Sequence, residues 1–216
     1  MMLRRSFIAR VPMLSLLQAP ASALRATAGQ AAAAARAAWQ AARHPQDDWF
    51  DENSAKHRVI FDTWNAEHFP DALQFAGNTF ETNKSDYDIP NDQMAVVIVC
   101  RHRTTPFAFD DAMWAKYGKS FSAQMEWTDP KTHEAPTANP YAARFKSLAA
   151  LGLQLAVCNR TTRAYSARAA RDAGAKPDEV YNELKANTVV PAHIVPAGVI
   201  AVTRAVERGY VNVGVG

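Results

Sequence analysis

Met94-Ala95-Val96-Val97-Ile98-Val99-Cys100 is an unbroken run of apolar residues between Gln93 and Arg101. A strand with one wet face would alternate apolar and polar side chains. This run does not alternate, so it predicts a strand covered on both faces, as in a parallel sheet. Parallel neighbours need crossover connections, and the flanking sequence supplies them. Upstream, Lys56 to Phe61 is β-branched and aromatic and reads as a first strand. Pro70 then opens a helix to about Lys84, with Leu73, Phe75, Ala76 and Phe80 on its apolar side. Downstream, Asn139 and Pro140 start a helix that Gly152 ends, and Leu153 to Val157 forms a third strand with Cys158 at its carboxyl end. Asn159 or Thr161 caps a helix to Gly174, and Pro177 opens another to Asn187. Thr188 to Val195 is a strand interrupted by Pro191. Pro196-Ala197-Gly198 starts a last helix to Gly209, and Tyr210 to Val213 is the final strand. Strands alternating with helices predict an α/β fold, a three-layer sandwich on a mostly parallel five-stranded sheet.

Residues 101–139 break the rhythm. They carry Phe107, Phe109, Trp114, Tyr117, Phe121 and Trp127, and are punctuated by Pro106, Pro130 and Pro136. The expectation is a long excursion with one short helix, Asp110 to Tyr117, and a loop over Thr128 to Asn139. Its aromatics wall an apolar pocket, cover a neighbouring subunit or form a satellite core.

The first 45 residues read differently from the rest. Arg4, Arg5, Arg10, Arg25, Arg36 and Arg43 all precede the first acid, Asp47. Arg4-Arg5-Ser6-Phe7-Ile8 is twin-arginine-like. It is followed by an apolar stretch, Val11 to Leu17, and by Ala21-Ser22-Ala23, a small-x-small cleavage pattern. The apolar stretch is too short to span a bilayer. Residues 1–45 are therefore expected to be an export signal and an alanine-rich linker. Residues 46–216 are the folded domain, in a periplasmic or otherwise exported protein. The competing reading is a mitochondrial transit peptide, also rich in arginine and poor in acids. The net charge of +3 sits in this leader, and the body is slightly acidic, so nucleic acid is not an expected partner.

Sites in parallel sheets lie beyond the carboxyl ends of the strands, near helix N-termini. Cys100, His102 and Cys158 fall there. A thiol at a helix N-terminus feels the positive end of the helix dipole, and Arg160 and Arg163 add positive charge if they face it. Both effects favour thiolate at Cys158. The alternative is a small buried hydrophobe ending a strand. Cys100 and Cys158 form one disulfide or remain two free thiols; spacing leaves both open. His102, between Arg101 and Arg103, makes a basic cluster with Thr104 and Thr105 that suits an anion. His68 is a candidate to join it, with His193 a third histidine at a strand end. No Cys-x-x-Cys and no His-x-x-x-His spacing occurs, so neither a metal nor a bound cofactor is expected.

Ser147-Leu148-Ala149-Ala150-Leu151-Gly152-Leu153-Gln154-Leu155-Ala156-Val157-Cys158-Asn159 resembles the DsrE/DsrF-like pattern of helix, glycine, strand and strand-end cysteine. Val195-Pro196-Ala197-Gly198-Val199, then a helix and Arg208-Gly209-Tyr210, resembles the C-terminal segment of the same family. The resemblance covers roughly residues 56–216. It implies an α/β sandwich that forms homo-oligomers, commonly trimers or hexamers. It also implies a cysteine in the position of Cys158 that carries a persulfide in sulfur relay with a protein partner. The leader and the aromatic stretch 101–139 depart from the family's cytoplasmic sulfur carriers. Two functions stay open: a thiol-based sulfur carrier or sulfurtransferase using Cys158, or a non-catalytic oligomeric module that binds a ligand or partner on the same fold. Whether the chain is an enzyme is open with them.

Overall fold

The computed structural model describes residues 40–216 except residue 53. The arginine-rich signal and most of the alanine-rich linker lie outside the described residues. Five strands form the sheet: β1 His57–Thr63, β2 Met94–Cys100, β3 Leu153–Cys158, β4 Ala192–Val195 and β5 Val211–Val215. Every pairing is parallel, and the order is β4-β3-β2-β1-β5. The expected mostly parallel sheet is therefore parallel throughout.

Among the described residues, six α-helices connect and cover the strands: α1 Phe69–Asp86, α2 Asp111–Met125, α3 Ala142–Ala149, α4 Asn159–Ala173, α5 Pro177–Ala186 and α6 Gly198–Glu207. From β1 to β4 the chain steps across the sheet in one direction, so right-handed crossovers put α1 to α5 on one face. The return from β4 to β5 runs the other way, which sends α6 to the opposite face. Side-chain alternation fits this division. Phe61, Val96, Ile98, Cys100, Leu155 and Val157 join a large core with the residues of α1 to α5. Ile60, Ala95, Val97, Val99, Ala156 and Val195 join a smaller one with Ala201, Val202 and Ala205 of α6.

The second face is completed by a 3-10 segment, Pro45–Asp51, which buries Trp49 and Phe50. Ion pairs hold it. The Arg208 side chain, fully buried, reaches Asp51 at 3.2 Å and Asp48 at 3.8 Å, while Arg58 pairs with Asp51 at 2.6 Å. The chain from Pro45 thus closes the domain rather than tethering it.

The excursion proves more ordered than its prolines suggest. After β2 comes a 3-10 segment, His102–Ala108, and α2 then runs 15 residues, about two turns beyond the expected Tyr117. The reason is burial: Tyr117, Phe121 and Met125 continue the apolar side of α2 into the main core. Trp114 is fully buried, and its indole donates to the Pro106 carbonyl at 3.0 Å. These aromatics belong to the main core, not to a satellite. Asn139 donates to the carbonyls of Phe107 and Phe109 at 2.7 and 2.6 Å, tying the end of the excursion to its start. Tyr141, not Asn139, is the residue preceding α3.

Candidate functional site

Parallel register brings the strand ends together. Thr63 lies beside Cys100, Cys100 beside Val157, and Cys158 beside Val195. Beyond this edge, α4 leaves β3 toward the five-helix face while α6 follows β4 toward the other. Diverging connections open a crevice between adjacent strand ends, the usual place for a site in such sheets. Cys158 and Gly198 stand on its two sides.

Arg101 packs against the Gly198 side of the crevice. Its guanidinium donates to both carboxylate oxygens of Asp62, Nε to Oδ1 at 2.5 Å and Nη2 to Oδ2 at 2.9 Å. The same group lies over the Trp64 ring, 5.2 Å from its centroid. A Cβ on Gly198 would come within 2.6 Å of Arg101 Cβ, so the first residue of α6 must be glycine for Arg101 to lie where it does. The Asp62 hydrogen bond is the main influence that raises Arg101 above the ordinary arginine range. Burial opposes it, and the charges of Asp62 and Cys158 reinforce it. That last influence places the Cys158 sulfur within electrostatic reach of the guanidinium.

Cys158 is itself 5% exposed and is the residue that precedes α4. Helix α4 starts at Asn159, one residue after the thiol, without a capping side chain at Asn159 or Thr161. The Thr161 hydroxyl instead donates to Cys158 Sγ at 3.2 Å, and Thr162 donates to the Cys158 carbonyl at 2.9 Å. Thus a helix start and a hydroxyl adjoin the Cys158 sulfur, with Arg101 on the same crevice.

Cys100 is a different kind of cysteine. It is completely buried in the large core, and burial pushes its thiol well above the ordinary value. Val157 is its register partner, so Cys158, one residue further on, points to the opposite face. Both cysteines are free thiols, and the disulfide alternative is excluded.

The remaining sequence candidates separate. Arg163 stacks on Tyr181 at 3.9 Å and pairs with Asp178 at 3.6 Å, on the side of α5. Arg160 is exposed. His68 precedes α1, is exposed, and faces Asp71 at 3.4 Å, apart from His102. His193 lies in β4 and stacks on Trp49 at 4.0 Å. Among the described residues, no three of His, Cys, Asp and Glu gather as metal ligands. His102 is exposed and holds a left-handed backbone, φ 53°, a conformation histidine tolerates better than most residues. With Arg103, Gln124, Thr161 and Tyr165 it lines a cleft of about 330 Å³.

The sequence places Arg101 in a basic cluster without singling it out, offers Thr161 only as a helix cap, and does not mark Asp62 or Trp64 as site residues. Asp62 carried a signal: a buried acid directly after the apolar Val59-Ile60-Phe61, two residues beyond Ile60 on the same face. Its partner was invisible because Arg101 is 39 positions away.

No family model, curated protein or solved structure matches the chain. What is established is the class: an α/β protein with a five-stranded, all-parallel sheet between helical layers. Among the described residues, no helix is long and apolar enough to cross a membrane.

Proposed function

We propose that this chain is an exported DsrE-like protein whose Cys158 accepts a sulfane sulfur and passes it to a protein partner. The observation that carries the reading is the setting of Cys158 Sγ. It lies at the start of α4, receives the Thr161 hydroxyl at 3.2 Å and has the Arg101 guanidinium within electrostatic reach. These neighbours offer Sγ a hydroxyl donor and a positive charge, and sulfur exchange proceeds through attack by the cysteine sulfur. The DsrE-like segments Ser147–Asn159 and Val195–Val199 meet at this crevice, one bringing the cysteine and the other the glycine that admits Arg101.

The test is to incubate the folded chain with inorganic polysulfide and weigh the peptide that contains Cys158. The expected product carries one extra sulfur on Cys158, is removed by dithiothreitol, and is absent from Cys158→Ser. An unmodified Cys158 in the wild type defeats the reading.

A specific observation also favours the second reading, an oligomeric binding module. Val199, Ile200 and Val206 of α6 are exposed, as is Val211 on the edge strand β5. Four large apolar side chains in water on neighbouring elements suit burial against another copy. Sedimentation of wild type against Val199→Asp/Val206→Asp separates the two. A mass shift from trimer or hexamer to monomer supports assembly; a monomeric wild type removes it.

A further inference from the structure

Cys158 is nearly buried, so its reaction partner needs a way in. Thr161 borders both environments: its hydroxyl touches Cys158 Sγ, and its residue lines the cleft formed with His102, Arg103, Gln124 and Tyr165. The cleft, about 330 Å³, is large enough for a small polyatomic anion. Its chemistry is one-sided. Tyr165 is 4% exposed and packs against Phe121, yet its phenol hydroxyl has no hydrogen-bond partner among the described residues. Arg103 lines the same cleft as Tyr165; burial raises the phenol above its ordinary range and the charge of Arg103 opposes that rise. Arg103 uses Nη2 for Glu126 at 2.5 Å, leaving its other donors uncommitted. The His102 ring is exposed and likewise unpartnered among the described residues. The Tyr165 ring is buried but its hydroxyl opens onto the cleft, where it is free to donate a hydrogen bond to a bound anion.

We infer that this cleft binds a small sulfane-bearing anion, an inorganic polysulfide, and delivers it to Cys158. The inference rests on the sulfur-acceptor reading above. Tyr165 and Arg103 hold the anion, and Thr161 marks the wall shared with the thiolate. The Cys158 sulfur attacks a terminal sulfur of the polysulfide. One S–S bond forms, one breaks, and the electron pair of the broken bond leaves on the shortened polysulfide. With tetrasulfide dianion the products are the Cys158 persulfide anion and trisulfide dianion. Sulfur and charge balance without an added oxidant or reductant.

The experiment compares wild type with Tyr165→Phe, which keeps the ring, and Arg103→Gln, on the surface. Two rates are read at the Cys158 peptide by mass spectrometry: loading by inorganic polysulfide, and the ratio of alkylation by iodoacetate, an anion, to alkylation by neutral iodoacetamide. Losing a hydrogen bond to a charged group predicts that each variant loads about tenfold more slowly and shows a lower iodoacetate-to-iodoacetamide ratio. Loading and ratio equal to wild type in both variants overturn the inference. If wild type gains no sulfur while the ratio still falls in the variants, the sulfur-acceptor reading is lost and the cleft remains an anion site.

Discussion

The two faces of the sheet are built on different principles. On one face, α1 to α5 bury a continuous aromatic core, with Phe69, Phe107, Trp114, Phe121 and Phe145 fully enclosed. On the other, among the described residues, only α6 and the segment Pro45–Asp51 cover the strands, and Asp51, Arg58, Arg204 and Arg208 do much of the fastening. Cys158, Arg101 and Asp62 stand at the carboxyl edge of this thinner face. A deep apolar core fixes strand positions through many small contacts, so no single polar group is needed there. The thin face has fewer such contacts, and its charged groups have specific partners. Charge is therefore available for chemistry on that side.

If the aromatic face sets stability, truncating it gives the largest effect. Trp114→Ala removes a fully buried ring stacked near Phe107 and Phe121, together with the indole bond to Pro106. A loss of about 4 kcal/mol is expected, against about 2 kcal/mol for Trp49→Ala on the thin face, where the ring is 7% exposed. Urea unfolding of both variants measures the pair. Equal losses would erase the asymmetry.

The next largest effect falls on the ion pair at the site. Arg101→Gln leaves the Asp62 carboxylate, on a residue 7% exposed, without its partner. Breaking such a pair costs about 3 kcal/mol, whereas removing both charges costs much less. The double variant Asp62→Asn/Arg101→Gln should therefore recover most of the stability lost by the single one, while polysulfide loading of Cys158 stays slow. Recovery of both properties would make Arg101 structural only.

Gly198→Ala sharpens the same comparison with one carbon atom. The new Cβ meets the Cβ, Cγ and Cδ of Arg101 at 2.6 to 3.2 Å, so either the arginine or α6 must shift. Overpacking of this kind costs about 1–2 kcal/mol. Loading of Cys158 should slow with it, because the displaced group is the guanidinium. A variant that loses stability but loads at the wild-type rate would show that α6, and not Arg101, gives way.

How much of this was legible in the sequence follows the same division. The apolar run Met94–Cys100 is periodicity made visible, and its boundaries agree between sequence and structure. Cys158 at the end of β3 was legible for the same reason. The extent of α2 was not, because its small polar residues Ser120 and Ser122 weaken the apolar pattern, although both are buried. The contacts of Arg101 with Asp62 and with Gly198 were out of reach: they depend on strand order, which brings together residues far apart in sequence. Thr188–Val190 was expected in β4, yet the strand begins at Ala192, after Pro191, which cannot donate to a ladder.

The smallest effect is a pH dependence on the thin face. His193 stacks on Trp49, and burial lowers its pKa below the ordinary 6.5, with Glu52 partly opposing. The unfolded chain thus takes up the proton before the folded one does. The stability contributed by the neutral ring is complete above the unfolded value. It is lost as pH falls from there through the folded value, and no more is lost below it. Asp51 works in a separate window. Burial alone would raise its pKa, but hydrogen bonding and charge pairing with Arg58, aided by Arg43 and Arg208, hold it below 3.8, so its share is lost only in stronger acid. Between about pH 7.5 and pH 5 the wild type should therefore lose stability relative to His193→Gln, by less than about 1 kcal/mol. Urea midpoints of the two proteins across that range read the difference directly. Parallel curves would mean that the Trp49–His193 stack is indifferent to the proton, and that the thin face is held by its arginines alone.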